Sequence, residues 1–164
     1  MKKLILFTLA LSLLTLAFVG CSTAPAHFSG EWHFSRIADI TLSSDVDAEM
    51  LEGLKEGYGA ADKEGVLTAA RAAFDADKTF TPCYVNFTKD RTYTYDPIAV
   101  REATWVFYQT AENEGFLSFY AEIDPSEVTP DPAVFPPVVY NPESNTLTLT
   151  IKYSAFVVAV ELTK

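Results

Sequence analysis

From Phe28 onward, apolar and polar positions alternate. Phe28, Gly30, Trp32 and Phe34 share one face, followed by Ala38, Ile40 and Leu42, while His33, Ser35, Asp39 and Thr41 take the other. A period of two is that of a half-buried strand. Arg36 interrupts the apolar face and Ile37 the polar one, so the expectation is a strand over about Gly30 to Ile37.

Between Ser43 and Ala76 the period changes. Ser44 with Asp47 three residues on resembles a helix start, and Asp45, Asp47 and Glu49 suit the positive end of a helix. Val46, Met50, Leu51 and Leu54 then recur at helical spacing until Gly53, Gly57 and Gly59 weaken the later turns. Asp62 can cap a second helix whose apolar stripe is Val66, Ala69, Ala70, Ala73 and Phe74. A helical pair over about 44–76 is thus inserted after the first strand.

Beyond Thr81 the pattern is β again. Cys83 to Thr88, a Lys89-Asp90 turn and Arg91 to Tyr95 read as a hairpin. Ala99 to Gln109 and Phe116 to Ile123 form two aromatic-rich strands around Ala111 to Gly115, and Val138 to Tyr140, Asn145 to Tyr153 and Ala155 to Leu162 complete the sheet. Asp124 to Pro137 holds five prolines, which lack the ladder donor, so it is expected as a loop or an edge. Many short strands with regularly spaced turns predict a meander curled into a barrel.

The amino-terminal stretch has a different character. Met1-Lys2-Lys3 is followed by the uncharged run Leu4 to Gly20. At about 1.5 Å per residue that run falls short of a hydrocarbon core of about 30 Å, and the order basic, apolar, small is that of a secretory signal. Phe18-Val19-Gly20-Cys21 resembles the lipobox of bacterial lipoproteins, with Phe18 where Leu is usual. The resemblance implies cleavage of 1–20 and lipidation of Cys21 by diacylglycerol, often with an N-linked palmitate-like chain. Segment 21–27 is then a lipidated cysteine with a short polar tether, and 28–164 is the folded domain. Ser22 follows the cysteine where Asp would resemble an inner-membrane retention signal, so the expected location is the cell envelope, at the outer membrane where one exists.

Charge narrows the partners. The chain of 164 residues has 12 Lys+Arg against 22 Asp+Glu. Losing Lys2 and Lys3 with the signal takes the bases from 12 to 10 and leaves the 22 acids, a formal −12. Such a body repels phosphate backbones and anionic leaflets, so nucleic acid is not an expected partner and the lipid anchor must supply membrane attachment. With Cys21 acylated, Cys83 has no partner for an internal disulfide and reads as a buried, inert thiol.

Phe28-Ser29-Gly30-Glu31-Trp32-His33-Phe34 resembles the G-x-W opening strand of lipocalin-like barrels. Phe87 to Tyr95 is similar to a hairpin of bacterial lipocalin-like lipoproteins of unknown function, with Arg91 where Gly is usual. Some of those carry a helical insertion between the two elements. The resemblance implies a mainly β fold: a lipocalin-like antiparallel up-and-down β-barrel with a two-helix insertion after the first strand. It also implies that Trp32 plugs the closed end beneath an Arg near the last strand. The final strands of this chain carry only Lys152 and Lys164, and Arg36 is the candidate for a local substitute.

Catalytic and metal motifs are weak. His27, Glu31 and His33 are close in sequence, but a zinc site needs three or four converging ligands and His27 falls in the tether. Asp75 to Thr79 imitates the start of a calcium loop but has Phe80 at the required glycine. There is no G-x-S-x-G, Cys83 has no identifiable base, and Glu112/Glu114 read as a hydrophilic turn. The expectation is a non-enzyme without cofactor or metal.

The aromatic residues carry the functional expectation. Trp32, Phe34, Tyr84, Tyr93, Tyr95, Trp105, Phe107 and Phe119 are the candidate lining of a barrel cavity for a small hydrophobic or lipid-like ligand. The alternative is a filled barrel whose outer faces recruit an envelope protein, as an interaction or structural module. An interior cavity of several hundred Å³ favours the first, and a filled interior with an exposed apolar patch favours the second.

Overall fold

The computed structural model describes residues 26–87, 92–96, 103–118, 123–124 and 126–164, with 92–96 and 103–105 as backbone. The chain forms β1 (Gly30–Leu42), two helices α1 (Ala48–Tyr58) and α2 (Lys63–Ala76), then β2 (Tyr84–Phe87), β3 (Thr92–Asp96), β4 (Ala103–Ala111) and β5 (Glu114–Ser118). Three more strands follow: β6 (Pro137–Asn141), β7 (Thr146–Tyr153) and β8 (Phe156–Thr163). Each strand pairs antiparallel with its neighbour in sequence, and β8 pairs back onto β1. The result is a closed β-barrel with two helices between its first two strands. Closure gives every strand two partners and so removes the open edges that a flat sheet would expose.

β1 runs past the expected Ile37 to Leu42, because two register shifts against β8 rescue its faulty alternation. They lie between Phe34 and Arg36 and between Ile37 and Asp39. Each bulge adds one residue and inverts which parity faces inward. Phe34, Ile37, Ile40 and Leu42 therefore oppose Leu162, Val160, Val158 and Phe156 in one inner row, while Arg36 and Asp39 are exposed. The expected run Ala38, Ile40, Leu42 on the face of Trp32 is corrected in this way: Ala38 is only half-buried and Ile37 takes its place inside.

The helices follow from their caps. Asp47, not Ser44, is the N-cap of α1, its carboxylate accepting from the Met50 N–H at 2.8 Å. Gly59 ends the helix at φ +63, a left-handed conformation that costs glycine little. Gly53 and Gly57 stay inside it. Asp62 caps α2 through the Gly65 N–H at 2.8 Å, and Val66, Ala70 and Phe74 form its buried stripe at four-residue spacing. The Phe74 ring meets Phe80, Tyr153 and Phe156 edge-on at 5.4, 5.5 and 5.6 Å, which seats α2 at the end of the barrel where β7 turns into β8. Burying a phenylalanine there is worth ~1.5–3 kcal/mol. No residue of α1 is buried, and it rests on α2 and, through Tyr58, on Phe156.

Two further contacts tie the helices down. The Arg71 guanidinium donates to the Ile37 and Ala38 carbonyls at 3.2 and 3.4 Å, in the bulged part of β1. Lys152 at the end of β7 pairs with Asp45 ahead of α1 at 2.6 Å.

Of the proline-rich segment, residues 126–136 form a loop with one isolated bridge, Asp131 to Phe135, and Pro137 opens β6. It covers the outside of the barrel. Leu117 points into the core, yet its neighbour Phe116 on the other face is also fully buried, stacked on Tyr108 and met edge-on by Phe135. The expected strands over 99–109 and 116–123 are described from 103 to 111 and from 114 to 118.

Candidate functional site

Gly30 opens β1 with φ +111, a region that side-chain-bearing residues rarely adopt. This turn lets Phe28 fold beneath the barrel while Trp32, two residues further on, points up into it. Both side chains are fully buried. The Trp32 indole Nε1–H donates to the Phe28 carbonyl at 2.8 Å, so the one polar atom of the ring is satisfied inside the plug. Phe28 lies 4.8 Å from Phe107 and 5.8 Å from Phe87, and Tyr140 meets the Trp32 ring edge-on at 6.0 Å. Rings from β1, β2, β4 and β6 thus close the end of the barrel opposite the helices.

Lys164, just past β8, covers this plug. Its Nζ stands 4.6 Å from the centroid of Trp32 and donates to the His27 carbonyl at 3.3 Å. A cation over an indole face is held by the ring quadrupole, and the lysine stem adds apolar cover. Arg36 and Lys152 stand elsewhere. Arg36 makes a two-pronged pair with Glu161 at 2.8 and 2.7 Å on the outer surface, and the carboxylate beside it raises the guanidinium pKa. Lys152 is at the helical end with Asp45, whose pKa is pushed down to about 2, first by the hydrogen bond from Lys152 and then by that from Ser43.

The expected lining residues divide into four groups. Trp32 and Phe107 belong to the plug, and Phe34 is half-buried against the same core. Tyr84 is a correction. It neighbours Val85, which points inward and is fully buried, and its own ring stacks at 6.0 Å on the exposed His33 outside the barrel. Strand alternation excludes it from an interior lining. Tyr93 pairs with Phe87 and Trp105, and Tyr95 pairs with Val85, by backbone register. Phe119 and Cys21 lie outside the described residues. Phe28, Phe87 and Tyr140, with Lys164 over the indole, complete the site beside the expected residues. Phe28 was visible as a member of the apolar row, but nothing in the sequence says that it bends under Trp32.

Much of the described interior is tightly packed, although Phe34 and Leu42 of the inner row are only half-buried. Val85, Leu117, Val138, Leu147, Leu149, Val158, Val160 and Leu162 have no accessible surface. A void admitting even one water molecule beside any of them would leave measurable exposure, so these residues line no such space. Gly115 shows how close the packing is, because a β-carbon there would run into the Phe107 ring and the Tyr108 carbonyl.

Asp39, Ile40, Glu64, Leu67, Thr68 and Arg71 line an open cleft of about 220 Å³ between α2 and β1. Glu31 and His33 approach to 3.7 Å on the outer face, whereas His27 stacks on Tyr140 at the plugged end, its Nε2 buried without a hydrogen-bond partner. The three groups do not converge. Among the described residues no three His, Cys, Asp or Glu side chains are grouped to hold a metal ion.

Fold and site together define a closed antiparallel β-barrel plugged at one end by aromatic rings and covered at the other by a helical pair. Comparison of the chain with family models, curated proteins and solved structures returns no match.

Proposed function

We propose that this chain is a lipid-anchored protein of the cell envelope, at the outer membrane where one exists. Its lipocalin-like barrel is a non-catalytic module with a filled interior that works through its outer surfaces. The lipobox-like Phe18 to Cys21 supports the anchor. Gly30 and Trp32, with a lysine over the indole in place of the family's arginine, support the lipocalin likeness. The observation that carries the filled reading is the absence of accessible surface at Val85, Leu117, Leu149, Val158 and Val160, which come from four strands around the barrel.

The second reading is a carrier of a small hydrophobic or lipid-like molecule. It is favoured by the eight-stranded ring, near the size at which a barrel either fills or holds one ligand. The consecutive pairing of Phe87, Tyr93 and Trp105 across β2, β3 and β4 also supports it. A ligand would have to touch residues other than the fully buried ones just named.

Native mass spectrometry of the domain from Ala24, purified from envelope extract under several growth conditions, separates the two. The filled module is expected at the mass of the chain alone. A stoichiometric small molecule retained through purification would establish the carrier instead. Labelled palmitate incorporation, lost in Cys21→Ala, tests the anchor.

A further inference from the structure

We infer that the barrel stands on the bilayer by its plugged end, with the helical pair and the α2–β1 cleft held away from the lipid. This rests on the lipid anchor at Cys21 proposed above. The folded body begins where the chain is pinned. Phe28 is fully buried in the plug, its carbonyl accepts from Trp32 at 2.8 Å, and the His27 carbonyl accepts from Lys164 at 3.3 Å. The His27 ring is in turn stacked on Tyr140 at 4.7 Å. Only Ser22 to Ala26 separate this clasp from Cys21. Fully extended, that stretch spans ~20 Å.

Antiparallel alternation assigns each turn to an end of the barrel. The turns between β4 and β5 and between β6 and β7 lie with Gly30 at the plugged end, and the β7–β8 turn lies with α2 at the other. β7 has eight residues. At about 3.3 Å per residue and a tilt of about 40°, the two ends differ in height by ~20 Å before the helices are added. A tether attached at one end and no longer than the barrel itself biases that end toward the bilayer. Among the described residues, the membrane-facing surface is then formed by 112–113, 141–145 and Lys164. The surface open to soluble partners carries α1, which has no buried residue and exposes Met50.

The test is energy transfer from single thiol-attached donors to acceptors on lipid headgroups, using the full lipidated chain in phosphatidylcholine vesicles. Cys83 is buried and Cys21 carries the lipid, so an introduced cysteine is the labelled one. Asn113→Cys and Glu143→Cys report on the plugged end, and Glu49→Cys and Gly57→Cys on the helices. A side chain at Gly57 meets nothing within 4 Å. Transfer from the first pair is expected to exceed that from the second about two-fold or more, given the ~20 Å height difference. Equal or reversed transfer from protein whose amino-terminal peptide carries acyl mass at Cys21 overturns the orientation alone. Absence of that acyl mass overturns the anchor and the orientation together.

Discussion

Lys164 Nζ lies 4.6 Å from the centre of the Trp32 ring, joining the residue after the last strand to the third residue of the first. The pair straddles the β1–β8 seam where the barrel closes. Lys164→Ala should therefore lower stability by ~0.5–1 kcal/mol, the range of an exposed cation–π contact, and Lys164→Arg should keep it. Trp32→Ala, which empties the plug, should cost ~3–5 kcal/mol. Urea midpoints with unchanged slope measure both. An unaltered midpoint in Lys164→Ala would show the contact to be idle.

Gly115 has no room for a side chain. Gly115→Ala must displace the Phe107 ring and strain the Tyr108 backbone, at a cost of ~1–3 kcal/mol. Adding Phe107→Leu should recover part of the loss, because the ring yields but the Tyr108 carbonyl does not. Thermal unfolding of the single and double variants tests this coupling. Strict additivity would refute it.

The second bulge of β1 is held by Arg71 through the Ile37 and Ala38 carbonyls. Arg71→Ala should destabilise by ~1–2 kcal/mol and speed amide exchange around residues 37–40 more than in β7. Equal exchange at the two places would mean that the bulge holds without the guanidinium.

Asp45 and Lys152 predict an acid response. Lys152 donates a hydrogen bond that lowers the Asp45 pKa to about 2, below its unfolded value. The folded state then binds fewer protons, so the stabilisation is present above about pH 4 and is lost as pH falls through about 2. Lys152→Met should remove that share of the acid sensitivity and leave the profile near neutral pH parallel to the parent. Denaturant titrations between these pH values would reveal it, and identical slopes would count against the pair.

Cys83 is buried just ahead of β2, and its carbonyl accepts from the Phe34 N–H at 2.9 Å. Its thiol should react with a bulky disulfide reagent only upon unfolding, with a rate that follows denaturant concentration. Rapid labelling of the native protein would contradict the packing.

Local elements were legible wherever one rule acted alone. Asp62 before Val66, Ala70 and Phe74 is a cap followed by an amphipathic stripe, and the structure keeps both. The strands of the second half were legible because alternation carries through β7 and β8 without interruption. β1 was legible only as far as Ile37, since a bulge inverts the parity on which the reading depends. Ser44 offered a helix start, but Asp47 supplies the carboxylate that meets Met50.

By itself the sequence determined the order of elements, the acidic body, the turn positions and the apolar row containing Trp32. These depend on near neighbours, whose spacing is set by covalent geometry. The tertiary structure decided that β8 closes on β1, that Lys164 rather than Arg36 or Lys152 covers Trp32, that Tyr84 faces outward and that Phe116 is buried outside the barrel. Each of those outcomes turns on contacts between residues far apart in the chain. Such contacts are selected by register, bulges and packing volume, which no local pattern encodes.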